Sequence, residues 1–335
     1  MLDNVPIHIN CECMLTNNRK FVEKAKAIIF YGSQFDIYDL PLPRNGTIWV
    51  LINDESPKNN PLLLFNETLN LFNISSTFSR YSNFPTTLQY FSSIDSLLDT
   101  KHFKSIKEKN ALQKKGIAPI MYLQSTCSTP ILRDEYVKQL MEYVQIDSYG
   151  DCLNNKRLPE SLREDYLNNF YGSEILEFMS EYKFVIAIEN AECEDYITEK
   201  LWKPLVAGAV PIYKGASTVR DWLPNSKSTI LIDDFDNIKD LAKFILKMNS
   251  NDTLYNEFLK HKTEHIISNT YLIQTANKEK IAIECFICDI LTNQHLYRNS
   301  LSVSTKHYNC SNPRNQHSNS WAWFWKHEKS AGSSI

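Results

Sequence analysis

The chain has 335 residues, 43% of them hydrophobic and 22% charged, with a net charge of −3. Those fractions belong to a globular chain long enough for two domains of ordinary size. The slightly acidic balance and the lack of a lysine-rich run point away from nucleic acid and from anionic membrane surfaces. No stretch approaches the ~20 apolar residues of a membrane span, and residues 1–21 carry no apolar core of the signal-peptide kind. Eight cysteines, Cys11, Cys13, Cys127, Cys152, Cys193, Cys285, Cys288 and Cys310, are an even number. Five sequons begin at Asn45, Asn66, Asn73, Asn251 and Asn309. Together they favour a secretory lumen over the cytosol.

In chain order, residues 1–24 are polar and irregular, and Cys11 and Cys13 stand too close to bridge each other easily. Residues 25–115 read as a first α/β unit. Strands are expected at Ala27–Tyr31, Ile48–Ile52 and Asn70–Ile74, then a charged, partly helical connection from Ser92 to Lys115. Residues 116–264 read as a second unit, with strands at Pro119–Leu123, Ile146–Tyr149, Phe184–Ile188, Ala209–Tyr213 and Thr229–Ile232. Helices are expected after Arg133, over Glu174–Tyr182 and from Ile238, and a loop over Asn154–Gly172. Strands alternating with helices at this spacing predict a parallel sheet. Residues 265–335 read as a tail. It carries Cys285-Phe286-Ile287-Cys288, with no second CxxC to make a zinc site, and an aromatic cluster, Trp321 to Trp325, expected to dock on the core.

The informative stretch runs from Lys183 to Leu223. A β-branched strand ends at Glu189-Asn190, and Asp195 is placed to cap a helix carrying Tyr196, Glu199 and Lys200 on one face. Another strand follows and ends at Gly215. A carboxylate, a cation and a phenol at the carboxyl end of a parallel sheet suit a nucleotide sugar: the cation and the helix start for a diphosphate, the carboxylate for sugar hydroxyls. Spacing alone slightly favours a solvated Glu/Lys pair on an ordinary surface helix. Asp234-Phe235-Asp236 has the spelling of a metal-binding Asp-x-Asp, but its place before a helix reads Asp236 as an N-cap. No GxGxxG or P-loop is present, which argues against a dinucleotide oxidoreductase or a kinase.

Glu189-Asn190, Tyr196, Thr198 to Trp202 and Ala207 to Pro211 resemble the donor-site signature of glycosyltransferase family 10, the α1,3-fucosyltransferases. Phe78 to Ser82, Ile146 to Cys152, Val219 to Pro224 and Glu284 to Cys288 resemble its fucosyltransferase 10 and 11 branch, described as EMI-domain protein O-fucosyltransferases. The resemblance spans about Ala25 to Cys310. It implies a GT-B fold, two Rossmann-like α/β domains across a cleft, with the acceptor on the first domain and GDP-β-L-fucose on the second. It implies Glu55, in Asp54-Glu55-Ser56-Pro57, as the general base. Ser125, Arg133, Asn190, Tyr196, Glu199 and Lys200 become the donor-binding set, and Glu189 either contacts donor or is a structural acceptor.

With Arg133 and Lys200 supplying positive charge, inverting transfer without a metal or other cofactor is expected. The implied acceptor is a Ser or Thr hydroxyl of a folded EMI-type domain, met in the endoplasmic reticulum in preference to the Golgi. The alternatives are α1,3 transfer to N-acetylglucosamine and a silent glycoprotein-binding protein. Cys285 and Cys288 are expected to join Cys11 and Cys13, or each other. Family members are usually type II membrane proteins, so either an N-terminal anchor is expected beyond this sequence, the preferred reading, or targeting differs.

Overall fold

A computed structural model of the chain describes residues 7–8, 13–163, 172–278, 282–293 and 302–313. Two parallel sheets organise it. The first has the order β1-β2-β3, from Ala27–Tyr31, Ile48–Asn53 and Ile74–Thr77. Its side chains alternate between faces with the period of two that a strand imposes. Ile28, Phe30, Trp49 and Leu51 enter a core with Phe35, Leu63 and Phe72. Ile29, Val50, Ile52 and Ile74 enter another with Ile283, Ile287 and Ile290.

The second sheet has five parallel strands, β4 (Ile120–Leu123), β5 (Ile146–Tyr149), β6 (Phe184–Ile188), β7 (Val210–Lys214) and β8 (Ile230–Leu231), in the order β8-β7-β6-β4-β5. Helices cover both faces, which is why β4, β6 and β8 read as apolar runs. Ile120, Ile186 and Ile212 pack with Val137, Leu140, Leu241 and Ile245 on one side. Met121 and Val185 pack with Ile175, Met179 and Ala207 on the other. The longer helices of this half among the described residues are α1 (Ile106–Lys114), α2 (Arg133–Leu140), α3 (Ser173–Ser180), α4 (Glu199–Ala207) and α5 (Ile238–Ser250). The expected connection docks through α1, whose buried Lys109 donates to the carbonyls of Tyr182 and Gly208.

Four expectations are corrected. The third strand lies at Ile74–Thr77, not Asn70–Ile74, because Asn73 turns its amide oxygen onto the Trp49 N–H and marks the strand's entry. The helix after β6 starts at Glu199 with Thr198 as its cap, so Tyr196 is not on it. Asp195, buried and at φ 61°, serves a different partner. Asn237, not Asp236, caps α5. The stretch read as a loop contains a one-turn helix at Glu160–Arg163.

The segment read as a tail is interior structure. Helix α6 (Thr270–Lys278) inserts Leu272 beside Trp222, and α7 (Ile283–Thr292) covers one face of the first sheet. Val303 and Tyr308 enter the core on the sheet's other face. Cys13 is bonded to Cys288, Cys127 to Cys152 and Cys193 to Cys310. Cys288 is thus committed to Cys13, so Cys285 and Cys288 do not bridge each other. Cys285 is disulfide-bonded as well. Cys11 and the cluster from Trp321 to Trp325 lie outside the described residues.

Candidate active site

In the five-stranded sheet the chain leaves β4 first outward to β5 and then inward to β6. Loops after β4 and β6 therefore splay apart at their carboxyl ends, the place where open α/β sheets take ligands. A cavity of about 210 Å³ opens there, lined by Ser125 and Thr126 after β4 and by Glu199, Lys200 and Lys203 of α4. The loop after β4 is held from two sides. Cys127 is bonded to Cys152, and Gly150, at φ 87°, lies so close that a Cβ would meet the Gln124 carbonyl oxygen at 2.3 Å.

Arg133 begins α2 and is buried, donating to the Thr126 carbonyl at 2.6 Å and the Ile188 carbonyl at 3.3 Å. It spans the ends of both splayed segments, and its Nε is buried without a partner. The Asn190 Oδ1 is likewise buried and unsatisfied, an acceptor left over for a ligand donor. Glu189 is fully buried and accepts the Thr198 backbone N–H and hydroxyl, each at 2.8 Å. Burial pushes its carboxyl up to about 7 against the pull of Lys200. It is thus a structural acceptor that holds the start of α4, and Gly215 is bare because a Cβ there would meet it.

Lys200 sits 3.1 Å from Glu199 and 3.6 Å from Glu189. Burial pulls its ammonium down, but the two carboxylates outweigh that and hold it above the ordinary lysine value. Burial raises Glu199, while Lys200 and Lys203 bring it below the ordinary value. Both stay ionised near neutrality.

Glu55 comes from the other sheet, just beyond β2. Tyr196, after β6, donates its hydroxyl to Glu55 Oε2 at 3.1 Å, across the seam between the two halves. Burial raises the Glu55 carboxyl above its ordinary range, with Lys200 and Tyr196 partly offsetting it. The backbone of Glu55 is fixed by Asn53, whose amide donates to the Glu55 carbonyl and to Tyr308. Neighbouring Asp54 is engaged by the Tyr31 hydroxyl, which separates the roles of two adjacent carboxylates. The seam is pinned beside them. Asp195 accepts from the Arg80 backbone and guanidinium, from Thr218 and from the Trp222 indole. Glu55, Tyr196, Asn190, Glu199, Lys200, Arg133 and Ser125 thus gather around one seam and one cavity.

Two family profiles match the chain. That of glycosyltransferase family 10 (fucosyltransferase), C-terminal, covers residues 112–306, more than half of the sequence, and the N-terminal fucosyltransferase profile covers residues 4–89. The chain belongs to glycosyltransferase family 10. It is a fucosyltransferase similar to alpha-(1,3)-fucosyltransferase B of Drosophila melanogaster, 41% identical over 311 residues, 89% of this chain and 70% of that protein. It is also similar to GDP-fucose protein O-fucosyltransferase 3 of Xenopus laevis, 41% identical over 322 residues, 90% of this chain and 68% of that protein. The human protein of the same name is 40% identical over 291 residues, 82% of this chain and 60% of its own length. A crystal structure of an alpha1,3-fucosyltransferase with GDP shares the fold: TM-score 0.52, 16% identity, 82% of this chain and 93% of the other. The GT-B arrangement implied by the sequence is the one observed.

Within this family fold, sequence reasoning passed over two side chains. Tyr90 is half-buried, and burial raises its phenol, reinforced by Glu55, Asp54, Glu199 and Glu189. It lies in a stretch with no motif, so only the fold brings it here. Lys203 lines the cavity one turn beyond Glu199, and helical spacing could have found it. Among the sequons, Asn45, Asn66, Asn251 and Asn309 are exposed, whereas Asn73 is half-buried with its Oδ1 engaged. No helix among the described residues is long and apolar enough to cross a membrane. Among the same residues no three His, Cys, Asp or Glu side chains converge as metal ligands. Asp234 is paired with Arg220.

Proposed function

We propose that this fucosyltransferase moves L-fucose from GDP-β-L-fucose, with inversion and without a metal ion, to a Ser or Thr hydroxyl of a folded secreted domain of EMI type. The observation that carries the reading is the Tyr196–Glu55 hydrogen bond, which brings a burial-raised carboxylate of one sheet to the cation-lined cavity of the other.

Tyr196 occupies Glu55 Oε2, and Oε1 takes the proton of the incoming hydroxyl as it attacks the anomeric carbon. A raised carboxyl is a stronger base, which general-base catalysis near neutral pH favours. Charge that develops on the departing diphosphate meets the cations Arg133 and Lys200, the latter at the amino end of α4. These cations are the support for metal independence. Asn190 Oδ1 accepts from the donor, and Glu199 takes sugar hydroxyls. Three disulfides among the described residues support an oxidising compartment, and the endoplasmic reticulum, where acceptor domains fold, is the proposed site of action.

The name shared by several relatives supports the protein acceptor. The Drosophila relative supports the second reading, α1,3 transfer to N-acetylglucosamine. Transfer from GDP-fucose in EDTA is measured to a folded EMI domain and to N-acetyllactosamine side by side. Label on the EMI domain alone is expected. Label on the glycan alone overturns the acceptor assignment, and transfer that needs added divalent ion overturns metal independence.

A further inference from the structure

The charges around the donor cavity balance only when Lys203 is counted. Among the described residues that line or adjoin it, Arg133, Lys200 and Lys203 are cationic and Glu55, Glu189 and Glu199 are acidic. Without Lys203 the carboxylates outnumber the cations: Lys200 lies 3.1 Å from Glu199 and 3.6 Å from Glu189, and Arg133 donates to two carbonyls. A net acidic cavity would disfavour a nucleoside diphosphate relative to the uncharged nucleoside. Lys203 stands three residues after Lys200 and four after Glu199, so the helix puts all three on one face, and that face is the cavity wall.

We infer that Lys203 is a donor-binding residue: it offsets the third carboxylate of the cavity and holds the diphosphate, most strongly once the sugar has departed. The inference rests on the reading of this cavity as the GDP-fucose site. Burial lowers the Lys203 ammonium to about 8, with Lys200 pushing the same way and Glu199 opposing. An ammonium so poorly solvated gains most from a close anion. Because the diphosphate gains charge as the glycosidic bond breaks, Lys203 contributes more to the transition state than to donor binding.

The test compares GDP and guanosine binding to the full chain and to K203M and K203R, alongside donor kinetics. Lys203→Met keeps the apolar stem and removes only the charge. Loss of a charged hydrogen bond corresponds to roughly tenfold or more in affinity. K203M is therefore expected to weaken GDP about tenfold and leave guanosine unchanged, with kcat falling as well as donor KM rising. K203R should stay within about threefold of the parent chain, since it keeps the charge. GDP binding unchanged in K203M overturns the inference. Equal loss of GDP and guanosine also overturns it, because that marks a side chain shaping the pocket rather than meeting phosphate. A parent chain that binds neither ligand overturns the donor reading itself, which separates that failure from this one.

Discussion

Arg80→Met removes the guanidinium that joins the first half of the molecule to the second. Asp195 is fully buried, and Arg80 supplies it with contacts at 2.6 and 2.9 Å, besides a backbone N–H that the substitution spares. Burial alone would raise the Asp195 carboxyl, but the Arg80 contacts, then Thr218, hold it below the ordinary range. Breaking a buried pair on one side typically costs 3–5 kcal/mol. Thr218, Trp222 and the Arg80 backbone remain as donors, and the Arg80 side chain is 24% exposed, so the lower end applies, about 3 kcal/mol. For a chain of this size that is roughly 4 °C in Tm.

The sign with pH follows. The depressed carboxyl stabilises the parent chain above the unfolded aspartate value of 3.8 and loses that contribution as pH falls through its lower folded value. In R80M the carboxyl regains a proton at higher pH, so the two melting temperatures converge on acidification. Asp195→Asn on top of R80M should recover part of the loss, since the stranded charge is gone. Thermal unfolding of the parent, both single variants and the double variant at neutral pH and near pH 4 is the assay. An R80M chain melting within 1–2 °C of the parent at neutral pH, or a gap that widens in acid, would refute the reasoning.

Glu55→Gln should lower kcat by about 10²–10⁴ while GDP binding persists, and donor binding with undiminished turnover would exclude Glu55 as base. In the parent chain kcat/KM should fall on acidification with an apparent pKa above the ordinary glutamate value of 4.5, because burial raises Glu55 and the base must be ionised. Glu189, held up to about 7 from 4.5, makes the folded state bind the extra proton, so stability should decline as pH rises through that window, by on the order of 3 kcal/mol. E189Q should flatten this slope in a melting series from pH 4 to 8, and an unchanged slope would assign it to other groups. Gly150→Ala should weaken GDP binding and cost about 1–2 kcal/mol, since it adds a left-handed alanine and a contact with the loop that presents Ser125; GDP titration and melting check it.

Legibility in the sequence tracked the local physics. The strands β4, β6 and β8 of the five-stranded sheet were readable because burial on both faces demands apolar runs. The third strand of the first sheet was not, because Ser75, Ser76 and Thr77 are buried yet polar. Ser75 and Thr77 bond to His307 and Thr77 to Ser82, partners set by the fold and, for His307, hundreds of residues away. Asp195 was misread as a helix cap for the same reason, since its true partners, Arg80 and Trp222, are distant in sequence. The donor signature was legible because it is contiguous from β6 into α4. Tyr90, the Cys13–Cys288 link and the return of α7 to the first sheet leave no local pattern.

That return makes synthesis order matter. The face of the first sheet that α7 covers is complete only when residues about 200 positions after β3 have emerged. At ~5–20 residues per second that is roughly 10–40 s during which Val50, Ile52 and Ile74 have no partner helix. The half that carries Glu55 is begun first and finished last. During that interval the apolar face of the first sheet stays open, and Cys13 and Cys193 wait for the late cysteines Cys288 and Cys310.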